Sequence, residues 1–251
     1  MMNGLLILPA YSEYFALTTT LEGLNNAAMW MGGIIGCFCA QPLPDILGRR
    51  RAILVGCIVT IVGIVLQAAA QHIAMFVVSR IVIGIGSSIA NLTAPTLLGE
   101  LLAPKGRARV LGLFYSCYFV GSLASSIVNY GSQNIDSTWA WRLPSLLQIV
   151  PSFLALGLLP FIPESPRWLL ANERDLEAIE VLAIMQGRHD TRMDSAEQDA
   201  RDIKAVLIEE AVKYNKNPWR DITAGRANRR RLVILVSFGT MINMFGNFII
   251  S

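Results

Sequence analysis

Charge is what this chain has least of. Only 16% of its 251 residues are Asp, Glu, Lys or Arg, where a soluble domain carries about 25%, and those few are clustered. Histidine is scarcer still: His72 and His189 lie far apart in apparent loops and read as solvated side chains rather than metal ligands. The four cysteines, Cys37, Cys39, Cys57 and Cys117, all sit inside apolar runs with neither metal-ligand nor disulfide-framework spacing. They read as small packing residues. No nucleophile–base pair and no phosphate-binding loop is evident, and Gly84-Ile85-Gly86 lies within an apolar run and is no dinucleotide fingerprint. An enzyme is therefore not expected, nor a cofactor. A net charge of +3 is too small to suggest nucleic acid, and the basic residues fall in loops rather than on one face.

What the chain does have is apolar length. Hydrophobic residues make up 53% of it, the mean hydropathy is +0.49, and the apolar residues arrive in runs of about twenty, enough to cross a bilayer. The opening run, residues 1–9, has no basic flank and is too short to span, so it reads as the latter half of a spanning helix. A second span is expected over 21–43, with Ala28, Gly32, Gly36 and Ala40 recurring every fourth residue as a close-packing stripe. Further spans are expected over 52–70, 75–98 (with Gly84 and Ser88 again four apart), 110–130 and 139–161, and a seventh begins at Leu232. Trp139 and Trp141 mark the interfacial entry to the sixth.

The basic residues orient these spans. Arg49, Arg50 and Arg51 lie between spans two and three, Lys105, Arg107 and Arg109 between four and five, and most of the others between Arg167 and Arg231. The alternate loops, around Gln71 and over 132–138, carry none, so the basic side is expected to be cytoplasmic. The long cytoplasmic segment is charged and helix-prone. Helices are expected over 173–186, with Leu176, Ile179, Leu182 and Ala183 as an apolar stripe, and over 196–213, with Ile203, Val206, Leu207 and Ala211; residues 187–194 link them. Docking on the bundle or binding a partner would both suit such helices.

Three stretches concentrate opposite charges at the cytoplasmic edge. The turn between spans two and three reads Gln41-Pro42-Leu43-Pro44-Asp45-Ile46-Leu47-Gly48-Arg49-Arg50-Arg51. The next cytoplasmic turn holds Pro95, Gly99, Glu100, Pro104 and Arg107, and the chain leaves the sixth span through Pro163-Glu164-Ser165-Pro166-Arg167-Trp168. Acids and guanidinium groups compressed between helix ends can make charge-assisted bonds that hold helix groups together in one state and release them in another. A plain positive-inside turn and a proline-capped helix end are the structural alternatives.

Together these stretches resemble the sugar-porter branch of the major facilitator superfamily, with the run 139–148 most like fungal hexose and lactose permease-like members. Leu43, Asp45, Gly48, Arg49 and Arg50 match the family's loop between helices two and three, while Gln41, Pro44 and Ile46 depart from it. Arg80, Gly84, Pro95, Glu100 and Arg107 match the fourth-helix pattern, with Leu97, Ala103 and Ala108 as departures, and Pro163-Glu164-Ser165-Pro166-Arg167 matches without change. The resemblance implies an all-α membrane protein: the N-terminal six-helix half of a major facilitator fold, a cytoplasmic helical loop and the start of helix seven. The expected division is 1–162 for the first transmembrane bundle with helix one incomplete, 163–231 for the interdomain loop and 232–251 for the start of the second bundle. The chain thus looks truncated at both ends.

The resemblance also implies alternating-access transport of a sugar, a hexose or a disaccharide such as lactose, with protons as a possible second partner. The lipid bilayer of the plasma membrane would be its setting. Asp45, Arg49, Arg50, Glu100, Arg107, Glu164 and Arg167 would form the cytoplasmic latch. Arg80 is the proton-coupling candidate; the acid usually paired with it would precede Met1, and an interfacial, snorkelling arginine is the other reading. Tyr115, Tyr118, Ser122 and Asn129 share one broad face of the fifth span and suit a sugar's hydroxyls and apolar ring face, or else bond between helices. Tyr115 stands where the family has a sugar-contacting glutamine. Asn243 aligns with another such glutamine in helix seven, and Asn247 with the amide after it. A non-transporting homologue, as sugar sensor or regulatory partner, is the alternative function.

Overall fold

The structure is a computed structural model and describes residues 14–15, 18–102, 104–135, 137–186, 193–213 and 225–242. These form two compact units, residues 1–200 and 201–251. Every regular element among the described residues is helical.

In the first unit α1 (Thr19–Ala40) runs into the short α2 (Pro42–Leu47), then α3 (Arg49–Ala68), α4 (Ile73–Leu101) and α5 (Pro104–Ser132). The expected sixth span is one apolar stretch, Trp139–Phe161, but it is built as α6 (Trp139–Leu147), α7 (Ile149–Leu158) and a single 3-10 turn at Leu159–Phe161. Prolines at 144, 151 and 160 remove backbone donors within this stretch, Pro151 at the position that would have met Leu147 O, which loosens a continuous helical ladder. Two further helices follow, α8 (Pro166–Ala171) and α9 (Asp175–Gln186). α10 (Met193–Lys213) crosses from the first unit into the second, which also holds α11 (Arg226–Ile242).

Among the described residues, four stretches are long and apolar enough to cross a membrane: Arg49–Ala68, Ile73–Leu101, Gly106–Ser132 and Trp139–Phe161. α1 is not among them. Its first turns hold Glu22, Asn25 and Asn26, which lower its hydropathy; Asn25 is turned fully inward, whereas Glu22 is half-buried and Asn26 exposed.

Small residues allow α1 and α3 to close on α4 from two sides. On α1, Asn25, Ala28, Gly32, Gly36 and Ala40 are all buried, so the four-residue stripe faces inward as its spacing predicts. A Cβ on Gly36 would stand 2.7 Å from the Ile85 carbonyl oxygen, and one on Gly86 would stand 2.6 Å from Thr60 N. Main chains therefore touch where side chains normally intervene, and dispersion across these contacts replaces the hydrophobic drive that lipid cannot supply. At one end of the unit Phe15, Phe76 and Trp141 pack around Ala70, with ring centroids 5.4–6.1 Å apart. At the other, Ile53, Cys57, Leu97 and Leu159 form a second cluster, bringing α3, α4 and the 3-10 turn together. A buried hydrogen bond from Gln67 Nε2 to Ser145 Oγ (3.2 Å) ties α3 to α6.

α9 keeps most of its expected face, with Leu182 buried and Ile179 and Ala183 half-buried; Leu176 is the exception. Ala178, Val181 and Leu182 are buried, whereas Leu176 is 85% exposed. The chain enters α9 through Glu173 in a left-handed conformation (φ 60°). The expected linker over 187–194 is shorter, since Met193 and Asp194 belong to α10; residues 187–192 lie outside the described residues.

Candidate functional site

The charged stretches converge where α2 meets α3, and Gly48 is the joint. Pro42 starts α2 at a position where its missing N–H costs nothing. Gly48 then ends α2, its N–H donating to Pro44 O (3.1 Å), with φ 97° and ψ 156°, a conformation open essentially only to glycine. The same residue caps α3 but has no side chain to offer the helix's first N–H groups.

Glu164 supplies that cap from 114 residues away. Its carboxylate accepts from Arg50 N at 3.0 and 3.3 Å and from its neighbour Ser165 N at 3.0 Å. A carboxylate at a helix N-terminus satisfies unpaired donors and sits at the positive end of the helix dipole. There is no space to spare, because a Cβ on Gly48 would stand 2.5 Å from Glu164 Oε2. Glu164 is held in turn by the start of α8, where Ser165 Oγ accepts from Trp168 N (3.3 Å) and Pro166 takes the first helical position. The buried Trp168 donates from Nε1 to Asp45 O (3.0 Å), which ties α8 to α2.

Arg49 forms the other half of the cluster. Its guanidinium lies 3.1 Å from Asp45 Oδ1 on α2 and 3.2 Å from Glu100 Oε2 on α4, and it also donates to Pro44 O at 3.1 Å. The Arg49 and Glu100 side chains are largely shielded, whereas Asp45 faces solvent. The inter-helix pair is therefore the stronger of the two, less screened than the exposed one. Arg49, through its planar fork, holds α2, α3 and α4 in one arrangement.

Of the seven expected latch residues, Asp45, Arg49, Arg50, Glu100 and Glu164 are brought together. Arg50 contributes through its main-chain N–H rather than its guanidinium. Arg107 is exposed and donates to Leu102 O (3.4 Å), within its own turn. Arg167 is half-buried on α8. Gly48, Ser165 and Trp168 complete the cluster. Ser165 before Pro166 was readable as a helix cap, but neither the approach of Glu164 to Gly48 nor the reach of Trp168 to Asp45 leaves a local signal.

Arg80 lies deep in the bundle. It is 2% exposed, its Nη1 donates to Asn25 O (2.6 Å), and its guanidinium stands 5.1 Å from the Phe76 ring centroid. This excludes the snorkelling alternative; a cation at this depth is held by main-chain dipole and ring face. On α5, Tyr115 and Tyr118 are 63% and 75% exposed, Ser122 is exposed and Asn129 half-buried. Only 6% of that span is buried, so this face has little packing to do among the described residues. Asn243 and Asn247 lie outside the described residues.

The described helices pack closely, four of them long and apolar enough to cross a membrane, and an acid–arginine cluster joins them at one end. The family model described as "Sugar (and other) transporter" matches residues 2–251. The chain belongs to that family, the sugar porters of the major facilitator superfamily. It is 34% identical over 203 residues to the glucose transporter GlcP of Staphylococcus epidermidis, covering 81% of this chain and 44% of that protein. It is 31% identical over 236 residues to the MFS-type transporter criB of Aspergillus cristatus, covering 94% and 51%. Among solved structures, the proton:xylose symporter XylE bound to 6-bromo-6-deoxy-D-glucose superposes with a TM-score of 0.75 at 24% identity, over 83% of this chain and 49% of that one. The chain thus spans about half the length of the relatives it matches.

Proposed function

We propose that this chain is the N-terminal bundle and adjoining cytoplasmic helices of a sugar transporter that works by alternating access, as a sugar:proton symporter when complete. In this reading residues 1–162 form the first bundle, 163–231 the interdomain loop and 232–251 the start of the second bundle, in the plasma membrane. The observation that carries it is the cap that Glu164 places on α3, with Arg49 bridging Asp45 and Glu100 beside it. These bonds are charge-assisted, made at helix ends and between elements far apart in sequence. Each is strong enough to favour one arrangement and, being only partly buried, cheap enough to release.

The sugar would meet the face of Tyr115, Tyr118, Ser122 and Asn129, with the amides of Asn243 and Asn247 as further contacts. Rings would stack on its apolar surface while hydroxyl and amide groups took its polar edge. Arg80, whose Nη1 donates to Asn25 O, would balance an acid whose protonation accompanies transport. Support for sugar as the substrate comes from the named activities of the relatives, GlcP and the high-affinity glucose transporter of Kluyveromyces lactis among them.

The test is uptake of radiolabelled hexoses and lactose, with simultaneous recording of external pH, in cells lacking their own sugar carriers. Saturable uptake that falls in Glu164→Gln and Arg49→Gln variants at equal surface expression supports the reading. Uptake indifferent to both substitutions refutes the latch, and sugar binding without flux favours a sensor.

A further inference from the structure

Beside the latch lies a crevice of about 450 Å³ between α3, α8 and α9, a size suited to a small-molecule ligand. Its formal charges sum to zero, three arginines against three glutamates, but they are not all engaged. Glu164 is engaged by two main-chain N–H groups, and Arg174 pairs with Glu177 (Nε to Oε1 2.8 Å). What remains is two guanidinium groups, Arg50 and Arg51, on the α3 wall and one carboxylate, Glu180, on the α9 wall. No ion pair engages any of these three side chains among the described residues. Trp168 contributes an apolar, aromatic surface between the walls.

We propose that this crevice binds the phosphate monoester of a polyol. Two neighbouring guanidinium groups present paired donors that fit the oxygens of a phosphate, whose charge is near −2 at neutral pH. Glu180 can only accept hydrogen bonds, so it repels a second phosphate and selects hydroxyl groups on the ligand's far side. Trp168 is largely buried and gives the ligand only a narrow apolar contact. A phosphorylated sugar in solution and the phosphorylated inositol headgroup of a lipid share this chemistry. Either would bridge α3 to α9 across the latch and hold it closed. The binding site depends on the transport reading only for the side of the membrane it faces.

The test uses the purified chain in nanodiscs and three probes: inorganic phosphate, D-glucose 6-phosphate, and phosphatidylinositol 4-phosphate built into the nanodisc lipid. Binding is read by calorimetric titration for the soluble probes and by native mass spectrometry for the lipid. Saturable binding of glucose 6-phosphate assigns a soluble source; retention of the phosphoinositide alone assigns the lipid. Arg51→Gln should weaken whichever ligand binds by about tenfold or more, while Glu180→Gln should weaken the polyol phosphate and leave inorganic phosphate as tight or tighter. Neither substitution touches a latch bond or a packed side chain. Failure of all three probes at millimolar concentration, or binding unchanged in Arg51→Gln, overturns the proposal. Equal affinity for inorganic phosphate and glucose 6-phosphate, unaffected by Glu180→Gln, overturns its polyol part.

Discussion

Replacing Gly48 with alanine adds one methyl group at the most constrained point of the chain. Two costs follow from the geometry. The backbone there, at φ 97° and ψ 156°, lies in a region that costs a non-glycine residue about 1–3 kcal/mol. The new Cβ would also stand 2.5 Å from Glu164 Oε2. The carboxylate can withdraw only by leaving Arg50 N, which it now meets at 3.0 Å, and a hydrogen bond to a charged group is worth about 1.5–3 kcal/mol. Part of that is recovered by water, so a net loss of about 2–4 kcal/mol is expected. Hydrogen exchange of the purified protein reads it directly. The Arg50 amide, protected by Glu164, should exchange at least about tenfold faster in Gly48→Ala, with little change in the middle of α3. The double variant Gly48→Ala, Glu164→Ala should be less destabilised than the sum of the singles by about 1 kcal/mol or more, since both lose the same cap. Unchanged Arg50 exchange in Gly48→Ala, or strict additivity, would refute the reasoning.

Other outcomes follow from the same geometry. Glu164→Gln keeps an acceptor and loses the charge, so it should destabilise the latch by about 1 kcal/mol, less than Glu164→Ala, as measured by thermal unfolding in detergent. Arg49→Lys replaces a fork by a point charge that cannot reach Asp45, Glu100 and Pro44 O together; its uptake rate should move toward that of Arg49→Gln, not of the wild type. Trp168→Phe keeps the ring but removes the donor to Asp45 O, costing about 1 kcal/mol in chemical unfolding. Gly86→Val, facing Thr60 main chain, should separate α3 from α4 and reduce the folded yield far more than Gly112→Val, where a Cβ meets nothing within 4 Å.

Much of this architecture can be read from periodicity. The α1 stripe and the spans of α3, α4 and α5 fall within a few residues of where apolar length and small-residue spacing put them, because such patterns depend only on the local chain. What stays hidden depends on partners remote in sequence. Leu176 fits a helical apolar stripe as well as Leu182 does, yet Leu182 is buried and Leu176 is exposed, because only one of them finds a neighbouring element to pack on. Arg107 carries the same charge as Arg49 on the same side, yet bonds within its own turn while Arg49 reaches two acids. Gly48 looks like any turn glycine until Glu164 is placed against it. The break between α6 and α7 is foreshadowed by Pro144 and Pro151, although a proline within a membrane helix is often tolerated and does not by itself announce a break.

The central claim is that the cluster around Arg49, Glu164 and Gly48 is made in one transport state and broken in another. The most direct measurement is the distance between spin labels at Ile46 on α2 and Leu176 on α9, both strongly exposed, by double electron–electron resonance with and without saturating hexose. The account predicts two distance populations whose ratio shifts on adding sugar, with Glu164→Gln favouring the longer one even without it. A single distance, unmoved by sugar and by Glu164→Gln, would contradict it.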